Sequence, residues 1–292
     1  MDWDQARIFL AIARTGQMLA AARALHLDHA TVSRRINALE ADLRVKLLER
    51  RTTGCTLTPA GEAFHLAAER MESEMLGVQA QLSGMDVAIS GTVRIGAPDG
   101  FGTSFLAPRI GGLMDRHPGL LVQLAPLPRV FSLAKREADL LVTIDRPTEG
   151  RLSVSKLTDY ALSLYATSAW LERNGQIHTL SDLSRHRVVT YVSDLLFSPA
   201  LHYFDDLRVP FGSRFECASV VGQLEAVRAG VGIGFLHDYV AANHTELVRI
   251  LPDIQVMRAY WLVSHDDNKS LARIRAVRDW MVESVRGERG FL

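Results

Sequence analysis

Residues Met18–Asn37, MLAAARALHLDHATVSRRIN, have the form of two short helices joined by a tight break. Met18 to Leu25 is rich in alanine, the strongest helix former. Ala21 and Ala22 keep that helix thin where a second helix must cross it closely. His26-Leu27-Asp28 then breaks the run. Asp28 is a good N-cap, because its carboxylate accepts from unpaired N–H groups and suits the positive end of the next helix. From His29 to about Asp42, Val32, Ile36, Leu39 and Leu43 recur at spacings of four, three and four, which makes one apolar stripe. His29, Thr31, Ser33, Arg34 and Arg35 take the other faces of the first turns. Short hydrogen-bonding groups beside arginines at a helix start suit contact with base edges and phosphates. The same residues would also suit an ordinary helical hairpin with solvated arginines, so the flanking segments decide.

Upstream, Ala6, Phe9, Leu10 and Ala13 form the apolar face of a first helix, which Thr15-Gly16 ends. Downstream, Val45 to Arg51 reads as a short strand, Thr52-Thr53-Gly54 as a turn, and Cys55 to Thr58 as a second strand. That is a β-hairpin wing, with Arg50 and Arg51 placed for phosphate or minor-groove contact. From His29 to Arg51 there are six basic residues (Arg34, Arg35, Arg44, Lys46, Arg50, Arg51) against three acidic ones (Glu40, Asp42, Glu49). The pattern is a winged helix-turn-helix over residues 1–59.

Thr58-Pro59-Ala60-Gly61-Glu62 marks a helix start, with Thr58 as N-cap and Pro59 at the first helical position. Phe64, Ala68, Met71, Met75, Val78, Leu82, Met85 and Ile89 follow at alternating steps of four and three. A spacing that averages 3.5 residues is the seam of a coiled coil, so residues 60–89 are expected to form a linker helix that pairs with a second copy. The other reading is an amphipathic helix packed on its own domain. Ser90-Gly91 is expected to close it.

The pattern then changes to alternating strands and helices. Strands are expected at Thr92–Gly96, Leu120–Leu124 and Asp139–Ile144, with helices at Thr103–His117 and Val130–Arg136. Alternation resumes with Val188–Val192, a helix around Val220–Ala229 and Val231–Leu236. Such alternation implies a largely parallel sheet with helices on its faces. Leu162–Ala166 and Tyr260–His265 resemble paired crossovers between two lobes. Residues 90–292 therefore form an α/β domain, with one lobe at about 91–161 and 266–292 and the other at about 162–265. A final helix is expected at Leu271–Arg286.

The chain has 292 residues with 33 basic and 33 acidic side chains, which allows two or more domains and argues against a wholly basic surface. Cys55 and Cys217 stand far apart with no CxxC or Cys/His spacing, so neither a disulfide framework nor a structural zinc is expected. No uninterrupted apolar stretch is long enough to span a bilayer, and the N-terminus lacks the basic start of a signal peptide. A cytoplasmic protein without a membrane partner is expected.

The residues resemble the LysR-type transcriptional regulators over essentially the whole chain. The likeness is carried by AIARTG, ARALHLDHATVSRRINALEADL, LLERRTTGCTLTPAGE, GTVRIGAP, DLLV, LYATSAWL, LSDL, LEAVRAGVGIGFL and YWLVSH, in that order. The resemblance implies a bacterial, cytoplasmic regulator with a winged-helix domain, a coiled-coil linker helix and a two-lobed effector domain like the periplasmic solute-binding proteins. Its expected partners are double-stranded operator or promoter DNA, a small effector between the lobes, and further copies of itself in a dimer or tetramer. RNA polymerase is a further candidate partner. The helix-turn-helix carries over to Met18–Asn37, with Met18, His29, Ala30, Thr31, Ser33, Arg34, Arg35 and Asn37 as candidate DNA-contact residues alongside Arg50 and Arg51. One departure stands out: many relatives have Ser-Gln-Pro-Ala where this chain has Asp28-His29-Ala30-Thr31. The base preference at that contact should differ.

Effector sites of this kind lie at the carboxyl ends of strands and at helix starts. Here the candidates are Asp99, Gly100, Thr103 and Ser104, then Thr143 and Asp145, Tyr191 and Ser193, and Ser219, Val220 and His237. Thr103 and Ser104 are expected to open a helix, either to hold a carboxylate or simply to cap it. Asp99 stands where many relatives place Ser or Thr; it would make the cleft less welcoming to anions, or it would cap the helix. Two other classes fit less well. A solute-binding protein would match residues 91–292 but not the first 89 residues, and an enzyme would need a G-x-S-x-G, Walker or metal-ligand motif that the sequence lacks. No catalytic residue, cofactor or metal ligand is expected.

Overall fold

The computed structural model describes residues 3–51, 54–83, 89–126, 138–149, 151–266, 271–288 and 291. The expected helix at Val130–Arg136 and the seam residue Met85 lie outside them, as do the side chains of Val78 and Leu82. The chain forms two compact units, one essentially residues 1–87 and the other 88–292 apart from a short stretch near residue 271.

The first unit contains α1 (Trp3–Thr15), α2 (Met18–Ala24), α3 (His29–Leu43), the hairpin β1 (Leu48–Arg51) and β2 (Gly54–Leu57), and α4 (Pro59–Ser83). Its core is Ile8, Phe9, Ile12, Ala21, Ala22, Val32, Ile36 and Leu39, with Leu47 and Leu48 closing one side. The small side chains of Ala21 and Ala22 are buried there, as a close helix crossing requires. The wing begins at Leu48, three residues later than the sequence suggests. Arg44 takes the left-handed conformation at φ 56° and ends α3. The buried carboxylate of Glu40 then accepts from the Leu47 and Leu48 amides at 2.9 and 3.2 Å, so those N–H groups bind a side chain before the ladder starts. Lys46 Nζ donates to the same carboxylate at 2.7 Å.

Thr58 caps α4 through its Oγ1, which accepts from the Gly61 amide at 2.9 Å. The proposed seam divides. Phe64 packs edge-on against Phe9 at 5.1 Å, and Ala68 is buried with Ala6 and Leu10, so the first two seam positions belong to this domain's own core. Met71 and Met75 are 40% and 57% exposed.

The second unit is built on an eight-stranded mixed sheet, in the order β4-β3-β5-β10-β6-β9-β7-β8. The strands are β3 (Ser90–Ala97), β4 (Gly119–Pro126), β5 (Leu140–Thr143), β6 (Leu152–Thr167), β7 (Arg187–Thr190), β8 (Ser213–Glu216), β9 (Ile233–His237) and β10 (Leu247–His265). Ser90 and Gly91 open β3 rather than closing the linker helix. Pairing is parallel within each half, β3 with β4 and β5, β7 with β8 and β9. The long strands β6 and β10 pair antiparallel and join the halves. On β6, pairing with β9 begins at Leu162. On β10, Trp261–Ser264 pair with β5.

The helices of this unit are α5 (Asp99–Phe101), α6 (Gly111–Arg116), α7 (Ser168–Asn174), α8 (Tyr203–Leu207), α9 (Val220–Arg228), α10 (Asp238–Ala241) and α11 (Ala272–Arg286). A π-turn at Gly102–Leu106 and a 3-10 turn at Ala107–Arg109 connect α5 towards α6. Helical structure therefore starts at Asp99, four residues before the expected Thr103. The glycines explain the difference. A Cβ on Gly102 would lie 2.6 Å from Pro126 Cβ, and one on Gly100 would lie 2.8 Å from Val220 Cγ1. They serve close packing and not a loop. Among the described residues no helix is long and apolar enough to cross a membrane.

Candidate functional site

The first surface of interest is α3. Asp28 Oδ1 accepts from the Thr31 amide and Oδ2 from the Thr31 hydroxyl, both at 2.7 Å. The hydrogen bonds from Thr31 hold the Asp28 carboxyl below the usual carboxylate range. Thr31 is thereby engaged in the cap. Arg35 is half-buried, and its guanidinium lies 3.3 Å from Asp4 of α1. Met18 is half-buried and packs on the core. The remaining candidates share one face: His29, Ala30, Arg34 and Asn37 are exposed, and Ser33 is half-buried among them. Arg34 makes no ion pair with another described residue. The wing is tied to this face, because Arg50 donates to Asn37 Oδ1 at 2.6 Å. Arg51 is paired with Glu49 at 3.1 Å.

The second site is the cleft between the two halves of the α/β unit. Pro98, Asp99, Gly100 and Ile144 line one side of it. The paired long strands contribute Tyr160 and Tyr260. From the other half come Tyr191, Phe197, Leu201 and Tyr203, then Ala218, Val220 and His237. The cleft is a narrow slot between the two halves. Of the residues expected there, Asp99, Gly100, Tyr191, Val220 and His237 line it. Ser219 stands just behind as the N-cap of α9, accepting from the Gly222 amide at 3.1 Å. Its Oγ donates to Asp99 Oδ2 at 2.7 Å, which links the two halves across the cleft.

Thr103, Ser104, Thr143, Asp145 and Ser193 do not line this cleft. Thr103 and Ser104 fall inside the helical run, so their amides are not helix-start donors. The Thr143 hydroxyl donates to the Asp145 carbonyl at 2.6 Å, closing a local turn. Ser193 lines a neighbouring recess with Arg214 and His202. Tyr160, Tyr203 and Tyr260 were not among the expected residues; Tyr160 and Tyr260 lie within the long strands β6 and β10. Tyr160 stacks on Tyr260 at 4.0 Å and on His237 at 5.2 Å. Burial pushes the His237 pKa down to about 4, so this imidazole is neutral at physiological pH. Among the described residues no cluster of three or more His, Cys, Asp or Glu could hold a metal ion.

Comparison with known proteins fits this geometry. The family described as "LysR substrate binding domain" matches residues 88–286, and "Bacterial regulatory helix-turn-helix protein, lysR family" matches residues 3–62. The chain belongs to the LysR family of transcriptional regulators, which pair a DNA-binding helix-turn-helix with an effector-binding domain. It is 28% identical over 251 residues to the HTH-type transcriptional regulator PtxR of Pseudomonas aeruginosa, covering 84% of this chain and 80% of that one. It is similar in fold to CrgA, a LysR-type regulator from Neisseria meningitidis, at a TM-score of 0.61 and 20% identity over 98% of this chain and 99% of the other. Full-length LysG of Corynebacterium glutamicum with bound effector Arg aligns at a TM-score of 0.58 and 22% identity, over 99% of each chain.

Proposed function

We propose that the α3 face of His29, Ala30, Ser33, Arg34 and Asn37 reads operator DNA in the major groove, with Arg50 and Arg51 of the wing on the backbone. A small molecule in the cleft between the lobes changes their closure and so the placement of paired DNA-binding domains. The protein acts in the bacterial cytoplasm, without catalysis, and RNA polymerase is its candidate partner at the promoter. The observation that carries this reading is the contiguous exposed face on a capped helix, held to the wing through Arg50 and Asn37. Two winged helices of a dimer would meet half-sites one helical turn apart or a multiple of it.

Arg34→Ala is expected to weaken binding to the cognate site by about tenfold to a hundredfold at fixed salt. Equal affinity of variant and parent, measured by fluorescence anisotropy, would remove Arg34 from the interface. The exposed Met71 and Met75 favour pairing of α4 with a second copy, first as a dimer and then as a tetramer. The double change Met71→Lys, Met75→Lys should shift sedimentation towards the monomer, since a charge on a coiled-coil seam is costly to bury. An unchanged sedimentation profile would place the dimer contact elsewhere.

A further inference from the structure

Among the described residues the cleft is lined by one formally charged side chain, Asp99, and by no lysine or arginine. The natural place for a ligand's carboxylate or phosphate is the start of α9, and it is occupied from within. Asp99 Oδ2 accepts from Ser219 there and lies 3.5 Å from the Val221 amide. An entering anion would meet this carboxylate with no lysine or arginine in the wall itself, the Arg258 charge acting from behind Tyr203. Arg258 stands 5.8 Å from the Tyr203 ring, with its guanidinium donating to the Ala200 and Met257 carbonyls.

A second, independent observation points to a guest. Tyr203 is only 4% exposed, yet its hydroxyl has no hydrogen-bond partner. The Tyr160 phenol is close enough to couple with it, but the two make no hydrogen bond of normal geometry. A buried hydroxyl left unpaired is costly, and such groups in native proteins generally await a water or a ligand. The rings narrow the choice further. Tyr160 and Tyr260 stack on one another, and Tyr260 also packs on Phe101 at 4.6 Å. With those two faces engaged, and the Tyr260 hydroxyl bonded to that of Tyr239 at 3.2 Å, the Tyr203 oxygen is what remains for a ligand. A quaternary ammonium needs open aromatic faces, whereas an N–H donor needs acceptor oxygens.

Resting on the reading of this cleft as the effector site, we propose that it takes a small protonated amine, its ammonium shared between the Asp99 carboxylate and the Tyr203 phenol oxygen. The test is titration calorimetry on the full-length protein with four probes of similar skeleton: phenethylamine, 2-phenylethanol, 3-phenylpropionate and trimethyl(phenethyl)ammonium. The amine should bind at least about tenfold more tightly than the other three. Asp99→Asn should weaken it by about tenfold, and Tyr203→Phe by several-fold. No amine binding at millimolar concentration, or equal or tighter binding of the quaternary, neutral or carboxylate probe, overturns the assignment. If such a rival probe is weakened by Tyr203→Phe, the cleft remains the effector site and only the ligand class fails. Binding that neither variant alters overturns the cleft as the site.

Discussion

Gly61→Ala is expected to lower the stability of the winged-helix unit by about 3 kcal/mol or more, a fall in its midpoint of more than roughly 10 °C. A Cβ at this position would lie 2.0 Å from the Leu47 carbonyl oxygen and 2.9 Å from its carbon. Neither atom can swing aside as a flexible side chain would. That carbonyl also accepts from the Thr58 amide at 3.0 Å, so moving it breaks the α4 entry as well. Differential scanning calorimetry of the full chain should show one transition shifted and the transition of the α/β unit unchanged. A midpoint within a degree or two of the parent's would mean that α4 need not lie against Leu47.

The second large effect is expected at Glu40, on the other side of the same peptide. Glu40→Ala removes the acceptor for two buried amides and the partner of Lys46, a loss of about 2–4 kcal/mol. Burial by itself would raise the Glu40 carboxyl pKa, but the hydrogen bonds from Lys46, Leu47 and Leu48 outweigh it and hold the folded value below the ordinary one. Its stabilising contribution is therefore full above the unfolded carboxyl pKa and is lost as pH falls through the lower folded value. Glu40→Gln should retain part of the hydrogen bonding, melt lower than the parent near neutrality, and lose less stability on acidification. Parallel acid limbs for parent and Glu40→Gln, followed by circular dichroism melts, would assign the acid sensitivity to other groups.

What could be read directly from the residues was local. The Asp28 cap, the α3 stripe and the Thr58-Pro59 helix start each depend on neighbours within one turn, so the residue types imply the geometry. The late start of the wing was hidden because the amides of Leu47 and Leu48 bind a carboxylate seven and eight positions earlier in the chain. The early helix at Asp99 was hidden for a related reason: Gly100 and Gly102 look like loop residues until Val220 and Pro126 are seen against them. The same distinction runs through the candidate site. Asp99, Gly100, Val220 and His237 stand at strand and helix ends, where a twisted sheet opens a crevice, and the rule for such sheets finds them. Tyr160 and Tyr260 lie inside strands and reach the cleft only because β6 and β10 cross there. Arg35 met the criteria for a DNA contact by position along the helix, but Asp4, far away in sequence, draws it towards α1.

The paired strands β6 and β10 run the length of both lobes, with register breaks between Ile250 and Gln255 and between Tyr260 and Trp261. Elsewhere each residue is locked to its partner, because a slip of one position would turn every inward side chain outward. Two strands locked in this way cannot slide past one another, although they can twist and bend together. The register thus leaves the lobes free to turn about the line of the pair and opposes sliding along it. If the cleft binds the effector as proposed, a ligand there would set the angle of that turn and leave the lobes' offset unchanged, so the signal sent on would be a rotation.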